Sequence, residues 1–367
     1  MSVPPFRRRR GPSPMPRLVQ PAPLTLDAKR AFLSNPASYG IASPVEVVET
    51  HVSWVFLTPQ RVYKLKKPVV WDHVDFTTLA ARRANCLAEV TLNRRLAAPT
   101  YLGVVALVRN GTGDVRLCRE PAPGDAVQDW LVEMRRLPRE EMLDRRIATG
   151  RISCADLEPV VERLVALYRH AEPEPLTGAE YRGYFRRTLG EHADSLCDAR
   201  LGMDHHRVRC LEAGLQAFLS RHPDLFEARV VAGRIVEAHG DLRPQHICLI
   251  DPPQIIDCLE FDRDLRRLDP LDELGFLAME CRRKGAAWVG DVILDCYASL
   301  SGDGCPPRLV AFYQAYRAFL RALLAAWHLL DEDCRDPQHW RCKADGYLVL
   351  AEEYLAETGL DRGIALP

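Results

Sequence analysis

The chain has 367 residues, of which 47% are hydrophobic and 27% charged, and its formal net charge is −1. This length exceeds what one hydrophobic core usually fills, so we expect two lobes with a sizeable buried interior. Because the net charge is close to zero, no long-range attraction draws the chain to nucleic acid or to an anionic membrane surface, and we predict neither as a partner.

Residues 1–23 are typical of a basic, proline-rich tail rather than of a folded element. Four consecutive arginines are followed by proline and polar residues, where a signal peptide would have an apolar segment. We therefore predict a disordered tail and no secretion signal. The next stretch, TLDAKRAFLSN, predicts a short helix with Thr25 or Asp27 near its N-cap.

A strand-rich N-lobe is predicted over residues 24–135. The runs VEVVET, HVSWVFLT and RVYKLKK are rich in β-branched and aromatic residues, and a turn at residues 58–60 separates the last two as a hairpin. An amphipathic helix is predicted over residues 76–97. Two further strands flank the glycine-containing turn at residues 110–114, and DWLVEMRRLP predicts a strand ending at Pro138.

Helical periodicity dominates the predicted C-lobe, residues 136–367, for example over residues 157–168 and 184–196. The predicted fold class is thus α+β with two lobes. The sequence has no G-x-x-x-x-G-K-[ST] motif, which disfavours a P-loop nucleotide site. The apolar run at residues 322–330 is shorter than the ~20 residues of a membrane-spanning helix. The twelve cysteines form no C-x-x-C pair, which indicates reduced thiols and a cytoplasmic protein.

The stretch EAHGDLRPQHICLIDPPQIIDCLEF, residues 237–261, places two aspartates at the two ends of a predicted hairpin. Apolar runs at residues 247–250 and 255–256 should pair antiparallel, which returns Asp257 to the neighbourhood of His246 and Asp241. Ionised carboxylates at close quarters repel one another, so a bound cation or a transferred proton is expected there. The alternative is that Asp241 caps a turn and Asp257 ends a strand, each solvated.

This stretch resembles the Brenner-type catalytic segment of aminoglycoside phosphotransferases and related small-molecule kinases, H-G-D-x-x-x-x-N-[IV]…[IV]-D. The resemblance extends over roughly residues 45–330, through ETHVSWVFLTPQRVYKLKKPV, LNRRLAAPTYLGVV, VEMRRLP and EFDRDLRRLDPLDELGFLAMEC. It implies the bilobal protein-kinase-like fold. These stretches are similar to an uncharacterised phosphotransferase-like group that in some proteins is fused to a P-loop ATPase domain, and we expect the stand-alone form here.

The resemblance implies roles for the residues of the hairpin. Asp241 matches the catalytic-loop aspartate that orients or deprotonates the acceptor hydroxyl. Asp257 matches the aspartate that holds Mg²⁺ against the phosphates of ATP. His239 matches a structural histidine of the catalytic loop, which is expected to be a scaffold rather than an acid or base.

Nucleotide-binding residues are expected in the N-lobe. Lys64 and Lys66 lie on one face of their strand, and one of them, with Lys64 favoured, should reach the phosphates. Glu89 is the carboxylate expected to pair with this lysine. The alternative is that both lysines stand solvated on an edge strand. Leu131–Arg135 is expected between the lobes, where the backbone of Glu133 and Met134 would bind adenine.

Two positions depart from the family's pattern. His246 stands where the family has a metal-binding asparagine, and Mg²⁺ prefers hard oxygen ligands to imidazole nitrogen. The metal could therefore rely on Asp257 and phosphate, or be Mn²⁺, or the activity could be weakened. The predicted phosphate-covering loop, ETHVSWVFL, contains no glycine, so Ser53 and backbone N–H groups are the candidates for phosphate contact.

The acidic residues between Asp257 and Glu273 suggest a rim that attracts a cationic acceptor such as an amino sugar or amino alcohol. The alternative is internal pairing with the arginines of the same stretch. Asp269 and Pro270 together predict a helix start.

The predicted function is transfer of the γ-phosphate of ATP to a hydroxyl of a small molecule. The alternative is a pseudokinase, a nucleotide-binding or interaction module without turnover. The sequence leaves the acceptor and the oligomeric state open, since fold analogy does not specify a substrate.

Overall fold

The computed structural model of the chain describes residues 23–71, 74–331 and 334–359. The predicted tail at residues 1–23 therefore lies outside the described residues, except for Pro23. Helix α1 (Leu26–Ser34) follows, and the Thr25 hydroxyl accepts a hydrogen bond from the Ala28 N–H. The predicted N-cap is thus confirmed for Thr25.

Six strands form one antiparallel sheet in the first part of the chain, in the spatial order β1-β2-β3-β8-β6-β7. Two shorter strands, β4 and β5, pair with each other. The bounds are β1 (Glu46–Glu49), β2 (Ser53–Leu57), β3 (Arg61–Lys66), β4 (Val70–Trp71), β5 (Val74–Asp75), β6 (Tyr101–Arg109), β7 (Val115–Cys118) and β8 (Ala126–Arg135).

Strand β3 lies inside the sheet, between β2 and β8. The alternative that Lys64 and Lys66 stand on an edge strand is therefore wrong, because their strand is paired on both sides. The face that carries both lysines is covered by α2 (Leu79–Ala97), which begins after its N-cap Thr78 rather than at residue 76. The sheet and this helix thus enclose the lysines between two layers.

The second part of the chain is mostly helical, as predicted, and its helices share one large hydrophobic core. The helices predicted over residues 157–168 and 184–196 are both present. No helix among the described residues combines the length and hydropathy that a membrane span requires. The bounds are α3 (Leu143–Ala148), α4 (Glu158–His170), α5 (Gly178–Leu196), α6 (His205–Arg221), α7 (Pro223–Val231), α8 (Pro270–Arg283), α9 (Ala287–Ser301), α10 (Pro307–Trp327) and α11 (Pro337–Glu357).

Buried ion pairs attach α8 to the helices around it. Asp269 caps α8 by accepting the Leu271 N–H, as predicted, and its two oxygens also accept hydrogen bonds from Arg229 at 2.7 Å each. One turn on, Asp272 accepts two hydrogen bonds of 2.6 Å from Arg317 of α10. Burial of such charges is tolerated because each is paired in bidentate geometry.

Two small antiparallel ladders frame the segment that carries both aspartates. The predicted hairpin is confirmed: β10 (Ile247–Cys248) pairs with β11 (Gln254–Ile255). Strand β9 (Val236–Glu237), just before the His-Gly-Asp stretch, pairs with β12 (Arg267–Leu268), just before α8. The residues between β9 and β12 therefore form a loop whose two ends meet at the start of α8. This loop lies on the side of α8 that faces the sheet.

Candidate active site

A buried carboxylate on α8 holds the backbone of the His-Gly-Asp loop. Glu273 Oε1 accepts hydrogen bonds from the N–H groups of His239, at 2.9 Å, and Gly240, at 2.6 Å. Its other oxygen accepts a hydrogen bond from the Tyr168 hydroxyl at 2.7 Å. Gly240 has φ +90, and a Cβ there would lie 3.1 Å from side-chain atoms of Arg266 and Leu259. The loop therefore needs glycine at this position.

His239 acts as a fixed scaffold within this loop. Its Nε2–H donates to the Ile256 carbonyl at 2.9 Å, and its Nδ1 accepts the Asp241 N–H at 3.3 Å. Both ring nitrogens are thus engaged by backbone, and burial lowers the pKa of the imidazole. The neutral ring ties the loop to the hairpin, and the geometry offers no proton transfer from it.

The backbone at Asp257 is held in an uncommon conformation by the sheet and α2. Asp257 has φ 63, in the left-handed region that non-glycine residues rarely occupy. Its N–H donates to the Tyr101 hydroxyl at 3.1 Å, and the next N–H, of Cys258, donates to Asn93 Oδ1 at 2.9 Å. Side chains from the first part of the chain therefore fix the direction of a carboxylate in the second part.

His246 lies between the two aspartates. Its Nδ1–H donates to the Asp241 backbone carbonyl at 2.8 Å, so Nε2 carries the lone pair. That Nε2 is 3.4 Å from Asp257 Oδ2. Arg243 Nη2 donates to Asp241 Oδ2 at 2.6 Å and lies 3.2 Å from His246 Nε2. The hairpin thus brings Asp241, His246 and Asp257 into one group, as the register of its strands predicts.

Cations relieve the charge repulsion between these aspartates. Burial raises the pKa of Asp257, but the ammonium of Lys64, and then His246 when acid protonates it, lower that pKa by more, so it lies well below its usual range. Burial likewise opposes ionisation of Asp241, yet Arg243 and His246 leave its pKa lowered. Burial and Arg243 together lower the pKa of His246. Two ionised carboxylates and a neutral imidazole result at neutral pH.

Lys64 joins the sheet to this group. Its Nζ is 2.9 Å from Glu89 Oε1 on α2 and 2.9 Å from Asp257 Oδ1. The predicted pairing of Lys64 with Glu89 is therefore present. One ammonium thus contacts a carboxylate in each part of the chain.

Lys66 points into the interior. Its Nζ is 2.5 Å from Glu89 Oε2 and 2.5 Å from Glu260 Oε1, and its side chain is 0% exposed, against 13% for Lys64. Of the two predicted candidates, Lys64 is the one that reaches the surface between the two parts of the chain. The sequence predicted Glu260 only as part of an acidic rim and missed its pairing with Lys66. The one signal for a place near the site was its position three residues after Asp257.

Ser53 is not placed to contact a phosphate. It is fully buried at the start of β2, where it pairs with Lys66 across the ladder. The loop before it makes a different contact: His51 Nε2 lies 3.3 Å from His328 Nε2, beyond the end of α10, and His328 Nδ1–H donates to Asp331 at 3.1 Å. The glycine-free loop is therefore held against the helical part by side chains.

The adenine contact expected at Glu133 and Met134 stays a prediction, but the structure restricts it. Both lie within β8, where they pair with Tyr63 and Val62 of β3 on one side. On the other side β8 pairs with β6, so the backbone groups of this stretch belong to the ladder. An adenine contact through free backbone groups would fall after Arg135, where the strand ends.

The predicted acidic rim is largely absent, because most carboxylates between Asp257 and Glu273 are buried or paired with a cation. Glu260 pairs with Lys66, and Asp264 pairs with Arg267 at 3.0 Å. The predicted internal pairing thus occurs, but for the buried acids the partners come from distant elements rather than from the same stretch. Three acids are buried on α8 or at its cap, namely Asp269, Asp272 and Glu273.

Comparison with known proteins agrees with this architecture. A scan against protein-family models found no match. The chain is 35% identical over 287 residues to an uncharacterized protein of Mycobacterium tuberculosis (strain ATCC 25618 / H37Rv), which covers 76% of this chain and 54% of that protein. A Mycobacterium bovis protein matches to the same extent. The chain therefore spans about half the length of the curated relatives it matches.

Solved structures with this fold include small-molecule kinases. A choline/ethanolamine kinase family protein from Mesorhizobium loti superposes with TM-score 0.52 at 17% identity, covering 91% of this chain and 99% of that one. Ethanolamine kinase from Plasmodium vivax gives TM-score 0.50 at 9% identity, covering 90% and 89%. The predicted bilobal kinase-like fold, with its antiparallel sheet and helical remainder, is thereby confirmed.

We expect substitutions of the two lysines to have different effects, on nucleotide binding for Lys64 and on fold stability for Lys66. Lys66→Met leaves Glu89 and Glu260 buried with less compensating charge, so the free energy of unfolding should fall by about 3–5 kcal/mol in urea denaturation. Lys64→Met should weaken the binding of a fluorescent ATP analogue at least about tenfold, with a smaller loss of stability because Glu89 keeps Lys66. The reverse pattern would contradict this assignment.

Proposed function

We propose that this kinase-fold chain is an ATP-dependent phosphotransferase that phosphorylates a hydroxyl group of a small molecule. The observation that carries the proposal is that Glu89, Lys64, Asp257, His246 and Asp241 lie side by side, each within 4.0 Å of the next, and so join the sheet to the His-Gly-Asp loop. A phosphate-holding cation, a metal-binding carboxylate and an ionised base at one location are what phosphoryl transfer needs.

Asp241 would position the acceptor. Its Oδ2 accepts from Arg243, and among the described residues its Oδ1 has no hydrogen-bond donor, which leaves that oxygen for the acceptor hydroxyl. In the reaction the acceptor oxygen forms a bond to the γ-phosphorus while the bond to the departing ADP oxygen breaks. The hydroxyl proton passes to Asp241 and then to solvent. Catalysis would come from position and charge rather than from covalent participation of the protein.

Lys64 would hold the nucleotide phosphates. Its ammonium now contacts Asp257, whose side chain is 44% exposed and so accessible to solvent. A phosphate oxygen could replace the carboxylate as partner of Lys64, while Glu89 keeps the lysine in place. Asp257 would then be released to bind a divalent metal, which when bound neutralises phosphate charge.

The two side chains at the proposed metal site, one carboxylate and one imidazole, fit a divalent ion of intermediate softness. Asp257 supplies carboxylate oxygen, and His246 presents an Nε2 lone pair 3.4 Å from it while its Nδ1–H is fixed by the Asp241 carbonyl. A ring nitrogen fixed by a hydrogen bond from its other nitrogen is the usual arrangement of a metal-binding histidine. One oxygen and one imidazole nitrogen suit Mn²⁺ better than Mg²⁺.

One observation favours the pseudokinase alternative. The guanidinium of Arg243 lies 2.6 Å from the Asp241 carboxylate, which is proposed to position the acceptor hydroxyl, and it also contacts His246. A cation therefore occupies the position where the acceptor would react. If Arg243 stays there when nucleotide binds, the chain would bind ATP without turnover. The same turnover measurement decides between the two functions.

Substitution of the proposed base should separate turnover from nucleotide binding. Asp241→Asn preserves the shape of the side chain but removes its basicity, so kcat should fall roughly 10²- to 10⁴-fold. The measurement is ATP consumption by the full chain across hydroxyl compounds of both charges, with nucleotide affinity measured in parallel. The control Asp198→Asn changes an aspartate that pairs with Arg200 on the surface and should leave kcat unchanged. Unchanged turnover in Asp241→Asn would contradict the assignment.

The metal assignment gives a second test. His246→Asn restores the oxygen ligand that the family pattern has at this position, so the ratio of Mn²⁺-supported to Mg²⁺-supported activity should fall severalfold. Steady-state rates at matched metal concentrations measure this ratio. A ratio that does not change would show that His246 does not contact the metal.

A further inference from the structure

Four cations, three on helices and one in the His-Gly-Asp loop, lie close enough to interact: three of them act electrostatically on Lys343, and Arg243 and Arg321 act on Asp241. Arg243 follows the aspartate in the loop, Arg283 ends α8, Arg321 lies on α10 and Lys343 on α11. We call these four residues the acceptor-side cation cluster. Helix α10 packs against both α11 and α8, and the Tyr347 hydroxyl of α11 donates to Glu280 of α8 at 2.7 Å, which brings the charges of the three helices together.

Carboxylates neutralise only part of this cluster. Arg243 pairs with Asp241 at 2.6 Å. Glu280 is shared, because Arg321 Nε lies 3.4 Å from its Oε1 and Arg283 Nε lies 3.8 Å from its Oε2. Among the described residues, two carboxylates therefore pair with this cluster of four cations, and two of the cations, Arg243 and Arg321, act on the proposed base.

Lys343 is the member with no anionic partner. Among the described residues no carboxylate oxygen lies within 4.0 Å of its Nζ, although the residue is partly buried. Instead its ammonium stands 4.4 Å above the ring of Trp340, which in turn stacks on His328 at 3.6 Å. Burying part of a lysine against an aromatic ring costs solvation that a cation–π contact offsets only in part.

One unused hydrogen-bond donor lies next to the proposed base. Among the described residues the buried Nε–H of Arg243 has no hydrogen-bond partner, whereas the Nε–H of Arg321 has only the 3.4 Å ion pair with Glu280. A buried donor without a partner requires an explanation such as an absent ligand or water.

The electrostatics agree with this geometry. Burial and then the charges of Arg321, Arg283 and Arg243, opposed by Glu280, together lower the pKa of Lys343 to about 8. The charge of Arg321 also contributes to the lowered pKa of Asp241, so the cluster is within electrostatic reach of that carboxylate. An anion bound here would relieve mutual repulsion among these cations.

We propose that the acceptor is an anionic hydroxyl compound, bearing a phosphate or a carboxylate that Arg321 and Lys343 bind while Asp241 positions its hydroxyl. This inference rests on the proposed function and specifies its substrate class. It replaces the expectation of an amino sugar or amino alcohol, because a cationic acceptor would be repelled by the cluster and would find the predicted acidic rim already paired. The product would be a phosphate ester that retains the acceptor's original anionic group.

Binding of small anionic and cationic hydroxyl compounds to the full chain tests the inference. The probes are glycerol 3-phosphate, glycerate, ethanolamine and choline, each titrated calorimetrically in the presence of a non-hydrolysable ATP analogue and divalent metal. We expect at least one of the two anions to bind and neither cation to do so. The phosphate and carboxylate probes distinguish the two possible anionic groups.

Charge-removing variants locate the binding site. Lys343→Gln and Arg321→Gln should each weaken binding of that anion about tenfold or more, as expected for loss of a charge-assisted hydrogen bond. Lys284→Gln is the matched control, because Lys284 is an exposed residue at the end of α8 outside the cluster, and it should have no effect. Loss of folding is excluded by thermal denaturation of each variant.

The outcomes separate this inference from the proposed function. Turnover of ethanolamine or choline that is unaffected by Lys343→Gln would leave the phosphotransferase intact and overturn the anionic acceptor. Binding of neither anion, or equal binding by all variants, would also overturn it. If Lys343→Gln weakens the ATP analogue but not the anion, the cluster serves the nucleotide and the inference is wrong. Anion binding that depends on Lys343 in a chain without ATP turnover would support the anion site and contradict the proposed function.

Discussion

The ion pair between Lys64 and Asp257 is the contact on which the arrangement of the site depends. The lysine belongs to an interior strand of the sheet, and the aspartate follows a hairpin in the helical part of the chain. Each is held independently, Lys64 by Glu89 and the Asp257 backbone by Tyr101. The two parts of the chain are therefore joined where a nucleotide and a metal would bind. The Lys64 side chain is 13% exposed and the Asp257 side chain is 44% exposed. Each residue can therefore exchange the other for a new partner without leaving an uncompensated buried charge.

Buried carboxylates build the frame around this contact. Glu273 organises the loop through two backbone N–H groups, and Asp269 and Asp272 bind arginines of neighbouring helices. Each of these acids lies in the stretch whose composition suggests an acidic surface. Because they serve the interior, the cations that act on Asp241 are Arg243 of the loop and Arg321 of α10.

Local sequence signals were sufficient for the parts of the fold that local chemistry decides. The D-P-P-Q turn between apolar runs predicted the hairpin, and the period of two along β3 placed Lys64 and Lys66 on one face. Strand order was not a local property, so the sequence could not show that β3 and β8 are interior strands. The edge-strand alternative failed for this reason, whereas the adenine contact at Glu133 and Met134 stays a prediction.

Burial is the second property that the sequence did not reveal. Ser53 and Lys66 have the polar chemistry of phosphate ligands, yet both face the layer beneath α2. Likewise, the partner of an acid on α8 comes from a helix tens of residues away, as Arg317 does for Asp272. Charge patterns within one stretch of sequence therefore identified the acids but not their partners.

A crystal structure of the chain with a non-hydrolysable ATP analogue and Mn²⁺ or Mg²⁺ tests the central claim most directly. The account predicts that Lys64 contacts a phosphate oxygen in place of Asp257, and that Asp257 binds the metal at about 2.1 Å. Nucleotide bound elsewhere, with the Lys64–Asp257 pair unchanged, would contradict it.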